Sequence, residues 1–71
     1  MNNLRQTKDS IYSSITTAFT SGEVQYVADS AEVRRIIEED GLSNVAKFNE
    51  IYGQWVIDTA ALTTEEMINL L

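Results

Sequence analysis

Apolar residues recur along this chain with two periods, and the change from one to the other marks its elements. Ile11, Tyr12, Ile15, Ala18 and Phe19 follow helical spacing from Leu4 onward, with Thr7 or Asp9 able to cap and Gly22 beyond the end. This predicts a helix over residues 8–20. Met1–Gln6 has no pattern and reads as frayed. A hairpin competes with the helix, because Ile11, Tyr12, Ile15, Thr16, Thr17, Phe19 and Thr20 are β-branched or aromatic and Ser21-Gly22 can turn. Helix is the preferred reading.

The stretch Glu23–Gly41 carries the fullest set of signals. Val24 and Tyr26 alternate with Gln25 and Val27, which predicts a strand over 23–28 with Val24 and Tyr26 inward. Asp29, with Glu32 three residues on, has the form of a capping box, so a helix follows near 30–40. Val33, Ile36 and Ile37 make its buried stripe, and Gly41 stops it. On the opposite side Arg34 with Glu38 and Arg35 with Glu39 are spaced as i, i+4 ion pairs.

Two readings stand for Leu42–Tyr52: a helix presenting Val45, Phe48 and Tyr52, or a strand over Val45–Asn49 turning through Tyr52-Gly53. The bulky run Trp55, Val56 and Ile57 then predicts a strand near 54–58. A second capping box, Thr63 with Glu66, starts a helix over 64–71 that presents Met67, Ile68, Leu70 and Leu71, with Leu62 stapling onto Met67. The fold class expected is α+β, with about three helices and an antiparallel sheet of two or three strands. Its expected core is Ile11, Ile15, Phe19, Val24, Tyr26, Val33, Ile36, Ile37, Phe48, Trp55, Ile57 and Met67.

Seventy-one residues make a single domain near the lower limit for a self-sufficient core. Cysteine is absent, so a disulfide or zinc staple is excluded and the core must pack efficiently or the chain must associate. With no histidine either, the commonest general base, the thiolate nucleophile and the soft metal ligands are all missing. The expectation is a non-enzyme without cofactor or metal. No apolar run is long enough for a membrane span and no signal peptide is recognisable, so the expected location is cytoplasmic and off the membrane.

Charge is the unusual property: eleven acidic residues against five basic give a net charge of −6. Residues 1–35 carry four of each sign, whereas 36–71 hold only Lys47 against Glu38, Glu39, Asp40, Glu50, Asp58, Glu65 and Glu66. Such a surface repels nucleic acid and attracts a basic protein. Asp29, Glu32, Glu65 and Glu66 have a structural use in first helical turns, while Asp40, Glu50 and Asp58 show no local role in the sequence.

Those seven C-terminal acids are therefore the candidate protein-binding residues. In size, charge and lack of catalytic groups the chain resembles the small acidic inhibitors that phages direct against host defence or transcription proteins, a likeness of composition rather than motif. It implies a phage-type inhibitor that mimics nucleic-acid charge and occupies a basic groove of a nucleic-acid-binding partner, without touching nucleic acid itself. The alternative is a structural subunit, a homo-oligomer assembled through Ile68, Leu70 and Leu71 of the last helix.

Overall fold

The computed structural model describes residues 3–70. In chain order it contains α1 (Asn3–Ser21), β1 (Gln25–Ala28), α2 (Ala31–Glu39), β2 (Ala46–Asn49), β3 (Gln54–Ile57) and α3 (Thr64–Leu70). Three helices and one antiparallel sheet make it α+β, as the periodicities imply. α1 begins earlier than expected: Asn3–Gln6 are helical, whereas Met1 and Asn2 lie outside the described residues. Ile11, Ile15 and Ala18 form one buried stripe, which a hairpin could not bring to one side. The β-branched residues between them are accommodated by hydroxyls that bond backward. Thr16 Oγ1 donates to the Tyr12 carbonyl at 3.0 Å, and one turn beyond, Thr20 Oγ1 donates to that of Thr16 at 3.0 Å. Ala18 holds the inward position in the last turns, and Phe19, expected in the core, is exposed.

The N-cap of α2 is Ser30 rather than Asp29. Ser30 is extended, with φ −160°, and its side chain accepts the Val33 N–H at 3.1 Å. The expected stripe is buried at Val33, Ile36 and Ile37. At the other end Leu42 N–H bonds the Ile37 carbonyl at 2.9 Å and Gly41 N–H that of Glu38 at 3.4 Å. Gly41 has φ +64°, so this is a Schellman stop, and it drives Leu42 into the core at 0% exposure.

Strand order is β1-β3-β2, with β3 antiparallel to both neighbours. β1 and β2 thus run parallel, joined over one face by α2, with β3 inserted between them. The segment 42–52 is the strand alternative, β2 followed by a turn. Gln25, Ile57 and Ala46 are in register, as are Val27, Trp55 and Phe48. These residues point toward the helices, while Tyr26, Val56 and Lys47 point away.

The face expected of β1 is therefore inverted. Val27 packs on the core and Tyr26 is 59% exposed, with Val24 lying before the strand and exposed. A strand's faces alternate residue by residue, so a one-residue error of phase exchanges its whole inner and outer sets. α1 packs on β1, β3 and α2. Met67 of α3 is buried, Leu62 and Leu70 pack partly against the same cluster, and Leu71 lies outside the described residues.

Candidate functional site

Relieved of capping by Ser30, the Asp29 carboxylate reaches across to the sheet. Its Oδ1 accepts the Trp55 indole N–H at 2.9 Å and Arg34 Nε at 2.9 Å, and Oδ2 accepts Arg34 Nη2 at 2.6 Å. Arg34 is thus forked onto Asp29, and the i, i+4 pair expected with Glu38 does not form; Arg35 does pair with Glu39, at 3.0 Å. Arg34's hydrogen bonds first, and Trp55's second, hold Asp29 below the ordinary carboxylate range, while Asp29 raises Arg34 in turn. The Arg34 guanidinium also stands 5.6 Å from the Phe48 ring centroid, and Phe48 meets Trp55 at 5.3 Å with the rings tilted by 58°.

These aromatics were expected in the core, yet they lie at its margin. Trp55 is half-buried and Phe48 38% exposed, because α1 covers β1 and β3 but leaves the β2 side of the inner face open. The result is a groove of about 520 Å³ between α2 and β2, lined by Arg34, Ile37, Glu38, Ala46, Phe48 and Trp55.

The strands that carry Phe48 and Trp55 are joined by the β2–β3 turn. Asn49 Oδ1 accepts the N–H of Ile51 at 3.0 Å and of Tyr52 at 3.3 Å, and Gly53, at φ +64°, donates its N–H to the Asn49 carbonyl at 2.8 Å. This well-bonded turn holds Ile51 at 86% and Tyr52 at 73% exposure. The sequence pattern gives Ile51 no role and places Tyr52 only in a helix or a turn, so neither stands among the candidate binding residues. Their signal was an apolar pair between Asn49 and Gly53, two residues that favour turns.

The seven candidate acids fall in separate places. Glu38, Glu39 and Asp40 end α2, and Asp58 follows β3, where its N–H bonds the Val45 carbonyl at 2.9 Å. Glu50 sits in the β2–β3 turn at the other end of β3; at roughly 3.3 Å per residue, that strand puts it about 13 Å from Asp58. Glu65 and Glu66 open α3.

Two acids expected to lack a local role have one. Asp40 Oδ2 accepts the Tyr12 hydroxyl at 2.8 Å and lies 3.3 Å from Lys8 Nζ. Asp58 Oδ1 accepts the Ala60 N–H at 2.9 Å. Glu66 is held in the expected box, accepting the Thr63 N–H at 3.2 Å while Thr63 Oγ1 accepts its own at 3.1 Å. Among the described residues, the carboxylates of Glu38, Glu50 and Glu65 make no ion pair.

No helix among the described residues is long and apolar enough to cross a membrane, and no three acidic side chains there converge as a metal site. No family model, curated protein or solved structure matches the chain. The arrangement sets exposed apolar area beside acidic charge.

Proposed function

We propose that this chain is a small, acidic, non-enzymatic protein-binding module that docks through the β2–β3 turn and the groove beside it. The observation that carries this reading is the exposure of Ile51 and Tyr52 on a hydrogen-bonded turn next to Phe48 and Trp55. A hydrogen-bonded turn has little backbone entropy left to lose on binding, and burying each large apolar side chain contributes roughly 1.5–3 kcal/mol. Aromatic residues of this kind dominate measured interface energies. With Arg34 neutralised by Asp29, Glu38 on the groove and Glu50 in the turn outweigh the exposed Lys47 on the outer face of β2, so the partner surface is apolar at its centre and basic around it. Where that basic surface is the one a partner uses for nucleic acid, occupation makes the module an inhibitor.

Self-assembly through α3 has less in its favour. Among the described apolar residues there, Met67 is buried and Leu70 half-buried on the protein's own core, leaving Ile68, 68% exposed. Two copies, each at −6, also repel one another. The test is capture from native-host lysate on the immobilised parent and on the Ile51→Asp, Tyr52→Asp double variant, with circular dichroism confirming an unchanged fold. A protein retained by the parent and lost from the variant is the expected result; equal retention on both rejects the surface.

A further inference from the structure

We infer that the free edge of β2 receives an extended, lysine- or arginine-bearing segment of the partner as a fourth strand, an inference that rests on the docking surface proposed above. The register decides which backbone groups face outward. Asp58 N–H bonds the Val45 carbonyl, and in the same register Lys47 pairs with Val56 and Asn49 with Gln54. Antiparallel ladders alternate, so the main-chain groups of Lys47 and Asn49 point at β3 and those of Ala46 and Phe48 point away from it. Ala46 N–H is occupied by the Leu42 carbonyl at 2.9 Å. The edge therefore offers the Phe48 N–H, the Phe48 carbonyl and the Ala46 carbonyl, in strand spacing.

A strand residue paired with Phe48 shares its face of the sheet, so its side chain enters the groove between Ile37 and the Phe48–Trp55 pair. This position takes an apolar side chain. Glu38 lies one helical turn beyond Arg34, which stands over Phe48, and so comes level with Ala46. An inward residue two positions along the added strand meets the Glu38 carboxylate, and charge complementarity makes it basic. The opposite edge, β1, lacks this combination: its groove of about 440 Å³ is lined by Gln6, Thr7, Ser10 and Ser14, and its carboxylate, Asp29, is already bonded to Arg34 and Trp55. Main-chain pairing supplies the affinity and alternate side chains the selectivity, as in other strand additions.

The probe is the pentapeptide acetyl-Thr-Leu-Thr-Lys-Thr-amide, titrated into the full ¹⁵N-labelled chain, with amide exchange read residue by residue. Expected are slowed exchange at Phe48 with none at Tyr26 or Ala28, an affinity about tenfold weaker when the leucine nitrogen of the peptide is methylated, and one about threefold weaker for Glu38→Lys. Equal binding of methylated and unmethylated peptides, with shifts at Phe48 and Trp55, overturns strand addition while leaving the docking surface intact. Protection at Tyr26 and Ala28 overturns it by placing the peptide on β1. Absence of binding by any peptide also overturns it, and lysate capture with the Ile51→Asp, Tyr52→Asp variant then decides the wider reading separately.

Discussion

Tyr12 and Asp40 are 28 positions apart and meet side chain to side chain, so nothing in the local sequence of either announces the contact. Burial first, and the bond to Asp40 second, push the Tyr12 hydroxyl up to about 12 from 10.0. Tyr12, Asp40's largest influence, and Lys8 hold Asp40 below the ordinary carboxylate range. The raised tyrosine favours its neutral form in the fold, so its contribution is complete below pH 10 and is lost as pH rises through about 12. The depressed carboxylates of Asp40 and Asp29 act at the other limit. Their contribution is complete above the unfolded carboxylate range, near pH 4, and disappears as pH falls through the folded values. Stability is expected to be level around neutrality and to fall at both extremes. Tyr12→Phe should cost about 1 kcal/mol at pH 7 and flatten the alkaline fall, as urea melts at pH 7 and pH 11 will show; an unchanged alkaline fall contradicts the assignment. Reversal of Asp40 to lysine places a second cation beside Lys8 and is a structural perturbation rather than a neutral surface change.

At the scale of elements, legibility tracked how local the determining contacts are. The box of Thr63 and Glu66 spans four consecutive residues, and both of its bonds form as the sequence implies. Thr63→Ala should therefore destabilise the domain by about 1 kcal/mol, and Glu66→Ala by less. Thermal melts of the two variants measure this, and a larger loss for Glu66→Ala rejects the capping account. The stripe of α2 was equally readable, because Val33, Ile36 and Ile37 lie within two turns. The face of β1 was not. Four residues give too few alternations to fix a phase, which is set instead by pairing with β3 some thirty positions on. Asp29 and Ser30 are both good caps side by side, and the choice between them was made by Arg34 and Trp55, which occupy the Asp29 carboxylate. The same long-range choice withdrew Arg34 from Glu38 and left that acid unpaired on the groove. Charge brings Glu38 and Glu50 among the candidates, whereas the apolar pattern assigns Phe48 and Trp55 to the core and Ile51 to nothing, because their exposure depends on the turn and on the uncovered side of β2.

Across the whole molecule, an antiparallel sheet half-covered by helices leaves one inner margin open, and a turn beside it displays two large apolar residues. Glu38 and Glu50 flank that surface, whereas Asp40 and Asp58 are engaged within the fold. Net charge sets long-range attraction for a basic partner and is screened by salt; buried apolar contact sets the lifetime of the complex and is not. The most direct measurement is photo-crosslinking in native-host extract, with a benzoylphenylalanine side chain placed at Tyr52 in one preparation and at Ile68 in another. The account requires a defined adduct from position 52 and none from 68. An adduct formed only from position 68, above all one of twice the chain's own mass, contradicts it and assigns the contact to α3.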